Sequence, residues 1–187
     1  WINIPLDVSD TIMLYGPRNS RTLIMDSVLA DINYACANIT STVDASRSLI
    51  TKYVAYGLKS RICLFEGTFR KYHTELGLES TANTWLNDAA SAAKTVMDAG
   101  TYSIYTSGGT TKAYRTLFTS SAPVASEVML AAVMDLTLNR LHDANWWWTS
   151  GTYGSKASFI RSFINTYLME DGTPFTNTPG WQTMLFK

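Results

Sequence analysis

Between residues 55 and 69 the apolar side chains Ala55, Leu58, Ile62, Phe65 and Phe69 fall at steps of three, four, three and four. That spacing keeps them on one face of an α-helix and is incompatible with the alternation of a strand. The pattern predicts a long helix from about Ser46 to about Glu75. Ala55, Gly57 and Ser60 are interleaved with the large residues. Small side chains let a neighbouring helix approach closely. Gly57 and Gly67 each cost about 1 kcal/mol relative to Ala in a helix interior, so close packing against a partner helix is the expected compensation.

Two further helices flank this one. Met25, Val28, Leu29, Ile32, Cys36 and Ile39 repeat at three and four, predicting a helix from about Ser20, its cap, to about Ile39. Gly77 closes the long helix. Ser80 or Thr81 is placed to cap a third, from about Thr84 to Ala99, with Trp85, Ala89, Ala92, Ala93 and Val96 as a narrow contact face. Gly100 sits where a left-handed C′ residue belongs. Consecutive antiparallel hairpins with Ala and Gly at the crossings are the physics of tetratricopeptide-like stacking. The helices are too unequal for a strict 34-residue repeat. The expected fold class is therefore mainly α, with stacked hairpins over residues 19–100.

The rest is less periodic. Residues 1–18 read as an extended lead-in with Pro5 and the turn Gly16-Pro17. Thr101 to Tyr105 reads as a short strand or extended segment, Thr111 to Thr119 as a short helix, and Glu127 to Val133 as a buried strand that length does not separate from a helix. Residues 136–156 have no clear period. A helix is expected from Ser155 to Met169, with Phe159, Phe163, Ile164 and Tyr167 on one side, and Glu170 to Pro174 as a turn. Residues 101–187 are thus expected to be loop-rich and irregular, facing a ligand.

Charge narrows the function classes. Fifteen basic and fifteen acidic residues cancel, with no run of one sign. A nucleic-acid binder needs a cationic stripe, and a membrane-surface binder a polybasic patch; neither is written here. Charged residues make up 16%, against roughly 25% in ordinary soluble domains, and Ser, Thr and Asn supply the polarity. Cys36 and Cys63 lie on apolar helix faces and are expected as buried thiols, with a helix-to-helix disulfide as the alternative in an oxidising compartment. No stretch is long and apolar enough to span a bilayer.

Several segments resemble the SusD/RagB family of nutrient-binding outer-membrane lipoproteins of Bacteroidetes. Tyr15-Gly16-Pro17-Arg18-Asn19-Ser20-Arg21, followed by Asp26 and Ala30-Asp31-Ile32-Asn33-Tyr34-Ala35, resembles that family's approach to a tetratricopeptide helix. Residues 51–67, Thr51-Lys52-Tyr53-Val54-Ala55 through Leu64-Phe65-Glu66-Gly67, are similar to its T-K-x-A-A-x-A-L-K-A-R-x-x-L-Y-E-G helix. Thr68 to His73 fits a subgroup variant, and Ala89 to Tyr102 resembles the next helix with a G-x-Y exit. Tyr114 to Phe118, Ser126 to Leu130, and Phe163 to Gly172 follow in the family's order.

The resemblance implies an internal part of one SusD-like domain, since full members are much longer and both chain ends read as cuts. It implies non-catalytic oligosaccharide binding at the cell surface, delivery to a SusC-like TonB-dependent transporter, and membrane association through a lipid anchor outside these residues. No cofactor is implied. Some relatives take peptides in place of glycans. A separate alternative is a helical-repeat scaffold that binds only a protein partner.

The candidate site is Leu141 to Gly154, holding Trp146, Trp147, Trp148 and Tyr153 with His142, Asp143 and Asn145. A pyranose presents one face of C–H bonds that stacks on an aromatic plane, while its hydroxyls seek amide and carboxylate partners; aromatic anchors with polar neighbours are a general form of small-ligand site. The competing reading packs these indoles under a loop, each burying on the order of 200 Å². Tyr15, Trp1 and Trp181 are expected to pack, as are Tyr53 and Tyr56 on the long helix. Arg61, Arg70, Lys71 and His73 are expected to be solvated or paired with Glu66 and Glu75. Catalytic signatures are thin: His73 and His142 stand outside any metal-ligand spacing, Gly151 to Lys156 fails the phosphate-loop spacing, and no G-x-S-x-G elbow is present. Asp143 and Asp171 have no spacing that marks a glycosidase pair. The expectation is a binding protein and no enzyme, with no metal site.

Overall fold

A computed structural model describes residues 2, 4–155 and 158–184, which divide into two compact units, residues 1–133 and 134–187. Among the described residues the structure is helical, with isolated β-bridges and no extended ladder.

Unit 1 is built on three helices. Helix α1 (Thr11–Tyr15) is a single turn capped by the Asp10 carboxylate, which accepts the Met13 N–H at 3.0 Å. It replaces part of the expected extended lead-in. Tyr15 at its end is exposed, not packed, and Trp1 lies outside the described residues. Helix α2 (Arg21–Asn38) begins as the sequence predicts, with Ser20 Oγ accepting the Leu23 N–H at 3.3 Å.

Helix α3 (Lys52–Tyr72) starts six residues later than its periodicity suggests. The cause is a competing turn. Asp44 Oδ2 accepts from Ser46 Oγ and from the backbone of Ser48 and Leu49, and Arg47 adopts a left-handed φ of 57°. Such side-chain-to-backbone bonds offer the chain an alternative to helix. The buried Arg47 guanidinium secures the turn by donating to the carbonyls of Asp44 and Ala125.

A 3-10 turn (Thr74–Leu76) ends at Gly77, whose φ of 64° closes it, and helix α4 (Glu79–Asp98) follows. It starts earlier than expected. Leu78 occupies the cap position without a side-chain cap bond, and the Thr81 hydroxyl, expected as a cap, donates to the Leu78 carbonyl at 2.6 Å from inside the first turn. Gly100 takes the left-handed conformation expected of it, φ 62°.

The pairing of α3 with α4 runs antiparallel, with Ser60 opposite Ala89, Gly67 opposite Leu86 and Arg70 opposite Thr81. Helix α2 pairs with α3 in the same sense, Arg21 meeting Glu66 and the Ile32–Cys36 pair meeting Ala55. Cys63, Trp85 and Ala89 form the second core cluster, with Met25, Leu29 and Ile62 packed against it. Both cysteines are buried and free. Tyr53 and Tyr56 are half-buried.

The buried side of α3 differs from the apolar row in the sequence. Of that row only Ala55 is buried; the remaining buried positions are Cys63, Glu66, Gly67 and Arg70. The fully buried positions of α3 are small residues and an ion pair, with Ile62 packed beside them, while Leu58 and Phe65 are exposed. Arg70 is buried on Glu66, whereas Arg61 and Lys71 are exposed.

Helix α5 (Ala113–Thr119) lies where a short helix was expected. Residues 101–105 are extended and bonded from Ser103 N to the Ser126 carbonyl at 2.8 Å, without forming a strand. Residues 127–133 are neither strand nor helix: Ala131 N donates to the Arg47 carbonyl at 2.7 Å and the Glu127 carboxylate accepts the Tyr105 N–H at 2.6 Å, without a ladder.

Unit 2 contains α6 (Ala144–Thr149), α7 (Arg161–Ile164), a 3-10 turn (Phe175–Asn177) and α8 (Trp181–Met184). The helix expected from Ser155 to Met169 shrinks to α7, and Lys156 and Ala157 lie outside the described residues. The chain leaves it for a tight hairpin in which Met169 N donates to Thr173 O at 2.8 Å across a left-handed Gly172. The expected turn at 170–174 is the tip of that hairpin. The aromatic spacing still brings rings together: Phe163 touches both Phe159 and Tyr167. Trp181 packs edge-on against Phe175.

Candidate functional site

The residues singled out from the sequence converge on α6, a helix of six residues in a region expected to be irregular. Its first turn is closed by Trp147 N donating to the Asp143 carbonyl at 2.9 Å, while His142 Nδ1 accepts the Ala144 N–H at 3.2 Å. Three consecutive Trp on a helix point about 100° apart, so they cannot share one buried side. All three are exposed: Trp146 at 48%, Trp147 at 46% and Trp148 at 66%.

The chain then folds back on the helix. Gly154 N donates to Ser150 O at 3.1 Å, Ser155 N donates to Trp147 O at 3.0 Å, and Tyr153 N donates to Ser150 Oγ at 3.1 Å. Gly154 permits this approach, because a Cβ there would meet the carbonyl oxygens of both Ser150 and Trp147. The return places the Tyr153 ring parallel to the Trp146 indole, centroids 6.1 Å apart and planes 10° apart. Trp147 meets Trp146 edge-on at 5.3 Å. Trp146, Trp147 and Tyr153 are thus one aromatic assembly. Trp148 presents the most open indole beside it.

His142, Asp143 and Asn145 are exposed at the start of the same helix. They share its N-terminal side; the His142 side chain is spent partly on the backbone through Nδ1, while at Asn145 it is the backbone carbonyl that accepts from Thr149 Oγ1. The helix itself and the Tyr153 stack were not evident from the sequence, where this stretch has no clear period. Asp171 serves its own hairpin, where Oδ1 accepts from Thr173 N and Oγ1 at 2.9 and 2.7 Å; the hydroxyl bond holds its carboxyl below the ordinary carboxylate range. Among the described residues no three His, Cys, Asp or Glu side chains gather where a metal ion would sit, and no helix is long and apolar enough to cross a membrane.

Comparison with known proteins finds no family model, no curated protein and no solved structure that matches the chain.

Proposed function

We propose that this chain is a non-catalytic oligosaccharide-binding protein of the SusD/RagB type, serving at the outer surface of a bacterial outer membrane. Its helical hairpins are read as tetratricopeptide-like stacking, and residues 101–187 as the loop-rich, ligand-facing region. The observation that carries this reading is the exposed aromatic assembly of Trp146, Trp147, Trp148 and Tyr153. Exposed indoles are costly unless something covers them, and a pyranose does so with its C–H face while its hydroxyls reach Asn145, Asp143 and His142. The resemblance across 15–172 supplies the remainder: delivery to a SusC-like TonB-dependent transporter, and attachment through a lipid anchor outside these residues.

Isothermal titration of the chain against a panel of neutral oligosaccharides tests the reading, with Trp fluorescence as a second readout. Binding that is lost when Trp146, Trp147 and Trp148 are replaced by Ala is the expected result. Binding of peptides with no response to any glycan overturns the carbohydrate assignment. Release of shortened sugars on prolonged incubation overturns the non-catalytic one.

A further inference from the structure

The start of α6 is closed in an unusual way. Asp143 stands at the cap position but makes no side-chain cap bond. The His142 ring takes over, Nδ1 accepting the Ala144 N–H at 3.2 Å. Among the described residues it is the one side chain that accepts from the first turn of this helix. A backbone N–H can only donate, so Nδ1 carries no proton and the neutral ring holds its proton on Nε2.

This bond stands at the head of a chain of contacts that ends in the aromatic assembly. Trp147 N closes the first turn on the Asp143 carbonyl, and the Trp147 carbonyl accepts the Ser155 N–H of the returning chain. That return carries Tyr153 onto Trp146, while Trp147 meets Trp146 edge-on. A helix of six residues has few backbone bonds to offset the cost of nucleation, so it depends on its caps.

Protonation reverses the role of Nδ1. Both nitrogens of an imidazolium are donors, so Nδ1–H would face Ala144 N–H and the bond is lost. His142 is exposed, and solvent reaches it to deliver that proton. Asp143 and Arg140 are the exposed charged neighbours along the chain. The first favours the charged ring and the second opposes it. Across the bridge to Arg140, the Asp135 carboxylate is held by Thr137 N and Oγ1. These groups set the midpoint of the titration and leave its direction unchanged.

We propose that His142 is a proton-operated cap on α6. With the ring neutral the aromatic assembly is closed and binds its ligand. With the ring protonated the first turn loosens, the Trp147 and Tyr153 contacts open, and the ligand is released. The oligosaccharide as ligand rests on the function proposed above, whereas the opening itself belongs to the free chain.

Near-UV circular dichroism of the free chain from about pH 8 to about pH 5 crosses the ordinary imidazole range. The signal of the ring contacts is expected to fall with the midpoint of a single proton. His142→Asn keeps a side-chain oxygen able to accept from a backbone N–H two residues on, and should hold the closed signal at both ends of the range. His142→Ala should give the open signal at both. His73→Gln, which removes the other of the two histidines, should keep the transition. In isothermal titration with the neutral oligosaccharides, the native chain should lose about three- to tenfold in affinity at the acid end, the worth of one cap, and His142→Asn none. A spectral transition confined to chains with His142, without a response to any oligosaccharide, bears out the cap and overturns the oligosaccharide reading. A flat signal in the native chain, a transition that survives His142→Asn, or an affinity that stays constant while the signal falls overturns the proposal.

Discussion

Arg21, in the first turn of α2, reaches across 45 residues of sequence to place Nη2 2.6 Å from Glu66 Oε2 in the middle of α3. Glu66 is fully buried and takes a second cation, Arg70, through Nε at 2.8 Å. The α2–α3 crossing is therefore held by a carboxylate shared between two guanidinium groups. Arg70 continues the network to Thr81 of α4 at 2.9 Å and lies over the Trp85 ring. One acidic residue ties all three helices together.

Glu66→Gln removes that charge and strands the buried Arg70. Breaking a buried pair from one side costs about 3–5 kcal/mol, so a large fall in the urea midpoint is expected. Arg21→Ala should cost only about 1 kcal/mol, because this partner keeps a solvent-facing side. Glu66→Met combined with Arg70→Met should recover much of the loss. A smaller effect for Glu66→Gln than for Arg21→Ala would show that the network does not hold the crossing.

The two glycines of α3 should respond in opposite directions to Ala. At Gly67 a methyl would lie 2.8 Å from Leu86 Cγ and 3.0 Å from its backbone nitrogen. A backbone atom cannot step aside, so Gly67→Ala is expected to cost about 1–3 kcal/mol. At Gly57 the nearest neighbour is Met129 Cε at 3.3 Å, the end of a flexible side chain. There the gain in helix propensity, up to about 1 kcal/mol, should make Gly57→Ala neutral or stabilising. Thermal melts of the two variants decide it.

Much of the helical frame was legible in the chain. Ser20 as a cap, Gly100 as a left-handed stop, and the small-residue crossings all follow from local chemistry, whereas Gly77 closes a 3-10 turn after α3 has already ended at Tyr72. The side of α3 that is buried was not. The large apolar residues pointed to one face, while Arg70, ordinarily a surface type, was expected to be solvated or paired with Glu66; the pair forms, and it is buried. Hydrophobic periodicity has no means of representing a buried ion pair that depends on Arg21, 45 residues away. Similarly, Asp44 stopped α3 from extending to Ser46 through bonds that no periodicity records. The aromatic cluster was visible as composition, but the stack of Tyr153 on Trp146 depends on a fold-back at Gly154 that only coordinates reveal.

Cys36 and Cys63 give a pH-dependent signature. Burial is the main cause raising both thiols above their ordinary range. The folded state therefore holds these protons longer than the unfolded chain does. Their contribution is fully present below about pH 8.5, the ordinary thiol value, and is lost as pH rises through that value toward the raised folded ones. Unfolding free energies between pH 7.5 and 9.5 should fall more steeply in the native chain than in a Cys36→Ala, Cys63→Ala variant. Equal slopes, or rapid alkylation of either thiol in the folded protein, would contradict the burial.

Gly154 offers a way to disturb the aromatic assembly without deleting a ring. A methyl at this position would meet the Trp147 carbonyl oxygen at 2.6 Å and crowd the Ser150 carbonyl as well. Both are backbone atoms, so the 150–155 return must lift off α6 and carry Tyr153 away from Trp146. Gly151→Ala is the matched control, since nothing lies within 4 Å of a Cβ there. If glycans bind the assembled surface, Gly154→Ala should weaken affinity about three- to tenfold, the worth of one aromatic contact. Near-UV circular dichroism should change with it, whereas Gly151→Ala leaves both signals as they were. Trp148→Ala removes the most open indole and leaves the Trp146–Tyr153 stack in place, so it should lower affinity without altering the spectrum of that pair. Equal affinities for the Gly151 and Gly154 variants would mean that Tyr153 contributes nothing to the bound state, and that the ligand rests on the three indoles of α6 alone.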